Sequence, residues 1–289
     1  VTAAAADMNR DTTPAAWLPR LDGVEAVVNC AGVLQGGRGQ DMAAIHHLAP
    51  AALFDACVEA GVKRVVQISA ISADDEAGTD YARTKKQGDD HLRALDLDWV
   101  VLRPSLIYGE GAYGGTAMLR ALAACPFVTP MIGQGKQVFR PLHVEDLAKT
   151  VLECLARDDL AQRTLEPVGP KVETVKEILA QYRAWLGRPP ARALSIPLSF
   201  VRLLCRLGDL LGRGPLSSTA LKQMEYGNAG RETGFAETIG FQPATLARRL
   251  QLRPAQTQDL WHARLYLLRP LVRGVLVLLW LASGLLGLV

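Results

Sequence analysis

The stretch from Val65 to Lys85, VVQISAISADDEAGTDYARTK, constrains this chain more than any other. A short apolar run rich in β-branched residues follows Lys63 and Arg64 and is closed by Asp, Glu and Gly. That pattern predicts a buried strand over Lys63–Ser69. A helix is predicted over Tyr81–Ala94, and its first turns place Tyr81 and Lys85 on one face. A lysine ammonium beside a tyrosine lowers the phenol pKa, so the phenol can exchange a proton near neutral pH. A serine at the strand end, Ser69, would polarise a substrate carbonyl from the other side. Ser72 competes with it, and the sequence leaves that choice open. Tyr-x-x-x-Lys alone is a weak pattern. Its place just after Ile68-Ser69-Ala70 strengthens it.

Further segments fall into order around this one. They are Val27-Val28-Asn29-Cys30-Ala31-Gly32, then Leu102-Arg103-Pro104-Ser105 with Tyr108-Gly109, then Arg140-Pro141-Leu142-His143-Val144-Glu145-Asp146-Leu147-Ala148. Together with Ser69, Tyr81 and Lys85 they resemble the short-chain dehydrogenase/reductase superfamily, in its extended or atypical, epimerase/dehydratase-like branch. Within that branch the chain looks most like the group around the nucleotide-binding accessory subunit of respiratory complex I. Bacterial relatives of this group sometimes carry a DoxX-like membrane domain. The resemblance thins beyond Leu165.

The resemblance implies an α/β fold, a Rossmann-type doubly wound parallel sheet that binds NAD or NADP. It implies that Tyr81 gives or takes the proton, Lys85 lowers its pKa and binds the nicotinamide ribose, and Ser69 bonds the substrate carbonyl. The cofactor would also meet Asn29, Ala31 and Gly32, with Arg103, Pro104 and Ser105 beside the nicotinamide and Asp7 and Met8 at the adenine. Arg140 is a candidate for an anionic substrate or cofactor phosphate, or else for a surface salt bridge. Three activities stay open: an NAD(P)-dependent oxidoreductase, a dinucleotide-binding sensor or assembly module at a membrane, and a sugar-nucleotide epimerase or dehydratase. The substrate is an unidentified small molecule.

Composition narrows the partners. With 49% hydrophobic and 21% charged residues, a sizeable core is expected. A net charge of +3 is too mild to argue for nucleic acid. Cys30, Cys57, Cys125, Cys154 and Cys205 are scattered without a CxxC pair, and neither His46 nor His47 has a ligand at i+4. No metal site is expected, and the thiols read as free.

Three regions are expected: a partial NAD(P)-binding domain over 1–167, a small helical region over 168–258 and a membrane-associated helix over 259–289. No Gly-x-x-Gly-x-x-Gly loop precedes the Val24–Cys30 strand, which by resemblance is the fourth of its sheet. About 50 upstream residues are therefore expected. Helices are predicted over Asp11–Arg20, Asp41–Gly61, Thr116–Cys125, Glu145–Arg157, Thr174–Leu186, Ser217–Gly227, Phe235–Gly240 and Pro243–Leu250. A further strand is predicted over Asp98–Arg103, an extended piece over Gln137–Leu142, a flexible loop over Gln35–Gln40 and a substrate-side loop over Gly109–Gly115. Pro197–Leu211 reads as a very apolar helix. It is either subdomain core, the preferred reading, or a membrane-surface helix, which Arg202, Arg206 and Arg213 would suit. Gly274–Val289 carries no charge. At about 24 Å it falls short of the roughly 30 Å hydrocarbon layer, so a membrane helix cut at its far end is expected. Arg264, Arg269 and Arg273 precede it and would put the rest of the chain on the cytoplasmic side of the cell's inner membrane.

Overall fold

The computed structural model describes residues 2–37, 39–111, 114–211, 217–230 and 234–287. Parts of the expected loops at Gln35–Gln40 and Gly109–Gly115 lie outside these residues, as do Arg213 and the last two residues of the apolar run. The chain forms two compact units that alternate along the sequence. The larger comprises Val1–Gly109, Gln137–Glu173 and Ser199–Thr245; the smaller comprises Glu110–Lys136, Thr174–Leu198 and Leu246–Val289.

The larger unit is built on a parallel sheet in the order Ala26–Asn29, Arg64–Ile68, Asp98–Leu102, Arg163–Leu165. Successive side chains of a strand point to opposite faces. Val65 and Val101 therefore join Phe54, Cys57 and Leu92 in one core, while Val66, Val100 and Leu102 join Leu147, Cys154 and Leu160 in another. Helices Ala49–Ala60 and Asp80–Arg93 cover the first face, and Val144–Ala156 covers the second. Burial on both faces is why these strands read as unbroken apolar runs. The short strand Arg163–Leu165 is an element that sequence reasoning did not name.

Local signals set the helix ends. The Asp41 carboxylate accepts from the Ala43 N–H at 2.8 Å, the Thr79 hydroxyl accepts from the Ala82 N–H at 3.1 Å, and Gly61 closes its helix at φ 75°. The Asp41–Gly61 helix is not uniform. Ala44–Leu48 is a π-turn, with the Ala49 N–H reaching back to the Ala44 carbonyl. Pro50 explains the irregularity, because it has no N–H for the His46 carbonyl four residues earlier. That carbonyl lies against the Asp80–Arg93 helix, where a Cβ on Gly88 would stand 2.3 Å from the His46 oxygen.

The smaller unit is not wholly helical. Val128–Ile132 and Arg192–Ile196 pair in parallel, Val128 opposite Arg192. Two features hid them: Pro130 argues against a strand, and most of Arg192–Ile196 is exposed and shows no apolar pattern. Around them stand Gly114–Ala123, Val175–Trp185 and Leu246–Leu252. Val175–Trp185 begins with a reciprocal cap between Thr174 and Glu177. The final helix runs from Thr257 to Leu286, contains Pro270, and starts well before the uncharged run. Its 30 residues have a window of mean hydropathy 1.8 with none of it buried, so it is long and apolar enough to cross a membrane.

Candidate active site

Lys85 is the centre of the site. It is 4% exposed, and its Nζ donates to the Ile68 carbonyl at 3.0 Å and the Ala31 carbonyl at 3.2 Å. The helix thus ties two neighbouring strands together at their carboxyl ends, the edge where open α/β sheets bind ligands. Burial pushes the ammonium down to about 8, against the pull of the Asp89 carboxylate. Gly32 sits directly over it: a Cβ there would stand 3.0 Å from Lys85 Nζ and 3.7 Å from His46 Nε2. The turn is held by Asn29, whose Oδ1 accepts from the Ala31 N–H at 3.1 Å while its Nδ2 donates to Gln67 Oε1 at 2.7 Å.

His46 belongs to the site although sequence reasoning made it an ordinary packing or surface residue. Its Nε2 accepts from the Val33 N–H at 3.0 Å. The proton is therefore on Nδ1, which donates to Thr84 Oγ1 at 2.9 Å, and Thr84 donates onward to the Asp80 carbonyl at 2.7 Å. Burial holds the imidazole down at about 3, so the ring is neutral at physiological pH. Its edge meets the Tyr81 ring at 5.4 Å. No spacing rule marks such a histidine, because its partners are one backbone N–H and one threonine hydroxyl from other parts of the chain.

Tyr81 itself is half-buried. Burial first, and the Asp89 carboxylate second, push its phenol up to about 12. The expected lowering by Lys85 is therefore corrected: the ammonium is directed at the Ala31 and Ile68 carbonyls, and the phenol keeps its proton. Ser69 is likewise engaged. Its hydroxyl donates to Asp89 Oδ2 at 2.8 Å, and Arg103 donates to the same oxygen from Nε at 3.1 Å and from a terminal nitrogen at 2.9 Å. Asp89 has no exposed surface, and its Oδ1 is buried without a partner among the described residues. Burial raises this carboxyl while Arg103 opposes the rise. Asp89 was missed, yet a signal existed: Tyr81, Lys85 and Asp89 recur every fourth residue on one helix face.

The other expected residues make their bonds elsewhere. Ser72 is buried in the turn after the strand, its carbonyl accepting from the Asp74 N–H at 2.8 Å. Pro104 is buried, and the Ser105 hydroxyl donates to the Asn228 carbonyl. Arg140 donates from Nε to the Gly169 carbonyl at 2.8 Å. Asp7 is exposed and accepts from the Asn9 N–H at 3.0 Å, while Met8 packs against the core that holds Trp17. Among the described residues no three His, Cys, Asp or Glu side chains converge as metal ligands.

The cradle suits the ribose end of a nicotinamide dinucleotide. Gly32 offers bare, exposed backbone where a methyl group would crowd Lys85 and His46, with the Lys85 ammonium beside it as a donor. A family model described as NAD(P)H-binding matches residues 4–158. Ceramide reductase of Caulobacter vibrioides is 29% identical over 185 residues, covering 64% of this chain and 57% of that protein. Mouse (Mus musculus) mitochondrial NADH dehydrogenase (ubiquinone) 1 alpha subcomplex subunit 9 is 27% identical over 146 residues, covering 50% of this chain and 38% of that one. The chain thus spans just over half of one relative and well under half of the other. The solved structure of MoeE5 in complex with UDP-glucuronic acid and NAD superposes with a TM-score of 0.62 at 19% identity, covering 86% of this chain and 82% of that one. That likeness shows a shared fold.

Proposed function

The chain belongs to the NAD(P)H-binding family, and from that premise we propose that it is an NAD(P)-dependent oxidoreductase of the short-chain dehydrogenase/reductase type acting on a carbonyl compound at a membrane. The observation that carries the reading is the desolvated Lys85 ammonium, lodged between two strand-end carbonyls under Gly32 and one helical turn from Tyr81. NAD(P), when bound, supplies the hydride acceptor or donor. Gly32, Tyr81 and Lys85 would hold its ribose, and Asn29 fixes the turn that carries Gly32. A phenol held up at about 12 keeps its proton at neutral pH and is suited to donate it to a carbonyl oxygen that gains negative charge. His46, neutral and locked in one tautomer, positions the tyrosine ring.

Likeness to a ceramide reductase, together with the unburied apolar helix, favours a lipid carbonyl as substrate. The same helix is the proposed membrane span, and the arginines before its uncharged run favour a cytoplasmic side for the remainder. One observation favours a second reading, a dinucleotide-binding module without turnover: the Ser69 hydroxyl is already spent on Asp89. Likeness to a complex I subunit points the same way. An epimerase or dehydratase with tightly held NAD would use the same residues, and rests on shared fold alone.

Two measurements separate these readings. Denaturing the purified protein and identifying released nucleotide by mass spectrometry, with NADH and NADPH titrations, tests cofactor binding. Assaying natural protein and Tyr81→Phe on long-chain ketones in mixed micelles tests the chemistry. The oxidoreductase reading expects turnover to fall by roughly 10²–10⁴ while nucleotide affinity holds. Turnover that survives the loss of the phenol would overturn Tyr81 as the acid, and nucleotide binding without any turnover would favour the module.

A further inference from the structure

The Leu198–Leu211 helix is apolar on two sides. Val201 and Cys205 are 5% and 2% exposed. Phe200, Leu203, Leu207 and Leu210, spaced three or four apart, are 51%, 53%, 50% and 84% exposed. At about 100° per residue these four fall within roughly 80° of one another, and their stripe points about 160° away from the buried pair. Scattered exposed leucines need no explanation, but a continuous stripe at helical spacing does. No polar side chain interrupts it, and Arg202 and Arg206 stand exposed along one flank.

We propose that this stripe lies in the interfacial layer of a membrane, as a second lipid contact in addition to the Thr257–Leu286 helix. The inference rests on that helix being a membrane span. Two observations favour lipid over a protein partner. First, the chain carries its own unburied apolar helix, so the stripe is tethered at high effective concentration to any bilayer that helix enters. Second, the flank is basic: Arg202 and Arg206 can lay their stems along the apolar surface and extend their guanidinium groups to lipid phosphates. Arg202 also pairs with Glu225 at 3.3 Å, and at 57% exposure it remains in reach of a headgroup.

The test uses the full chain reconstituted into vesicles of phosphatidylcholine and phosphatidylglycerol at about 7:3, with plain or brominated acyl chains. Native Trp261 and Trp280 report insertion of the Thr257–Leu286 helix through bromine quenching. The added emission of Leu207→Trp reports the stripe, and Phe200→Trp, an aromatic exchange on the same stripe, repeats the reading should Leu207→Trp fold poorly. The proposal expects the added emission to drop by about twofold in brominated vesicles. Quenched native tryptophans with no quenching of the added one would overturn the stripe while leaving the membrane span intact. No quenching of either would sink both. A blue-shifted, unquenched added emission would mean that a second copy or another protein covers the stripe, and would overturn the lipid assignment.

Discussion

Lys85 makes a quantitative claim that does not depend on knowing the substrate. Burial takes its ammonium from 10.5 down to about 8. A gap of about two and a half pH units corresponds to ~3 kcal/mol of stability withheld at neutral pH. Below pH 8 both folded and unfolded chains carry the proton, so the full penalty is present. From there to 10.5 the unfolded chain binds more protons, so this group's contribution to stability rises with pH, and above 10.5 the penalty is gone. Cys57 and Cys154, both raised to about 11 by burial, act in the opposite sense at high pH, so the raw curve does not isolate the lysine. Lys85→Met does isolate it, keeping most of the stem and removing the charge. The carbonyls it abandons add an offset that does not vary with pH. Between pH 7 and about pH 9.5, the stability difference between natural protein and Lys85→Met should move by about 2 kcal/mol in favour of the natural protein. In a thermal scan in mild detergent this is a relative shift of roughly 4–8 °C. A difference that stays flat over that range, or moves the other way, would refute the claim that the ammonium sits desolvated between Ala31 and Ile68.

Gly88→Ala would push a methyl group to 2.3 Å from the His46 carbonyl; it should cost about 3 kcal/mol, whereas Gly115→Ala, with nothing within 4 Å, should leave Tm nearly unchanged. Asp89→Asn removes the partner of a part-buried Arg103 guanidinium and should destabilise by about 3 kcal/mol in denaturant titrations. The same change should let the Tyr81 phenol ionise at lower pH in ultraviolet difference titration, because Asp89 contributes to its raised pKa. His46, held down at about 3 against 6.5, contributes stability that is full above pH 6.5 and is lost as pH falls toward 3; His46→Asn should flatten that acid limb of a Tm–pH curve.

Much of this architecture could be read from local chemistry. Asp41 and Gly61 mark helix ends because capping depends on the residue and its immediate neighbours. The strands holding Val65–Val66 and Val100–Val101 were legible because burial on both faces demands continuous apolar residues. Cofactor class followed from ordered motifs. What could not be read are interactions settled at long range. The Ser69–Asp89–Arg103 knot joins three elements, and His46 takes its partners from residues 33 and 84. The Val128–Ile132 and Arg192–Ile196 pair escaped because exposed edge strands lack an apolar signature, and Pro130 argued against one of them.

That pair also sets a timetable for synthesis. Val128 must wait for Arg192 before its strand has a hydrogen-bonding neighbour. At ribosomal speed the intervening chain takes roughly 3–13 s to emerge. Through that interval a nascent edge strand, followed by Val175–Trp185 but not yet by its partner, is open to foreign pairing. Slowing translation before Arg192 should therefore lower the soluble yield, and holdase chaperones should restore it, with no change in the finished protein's stability.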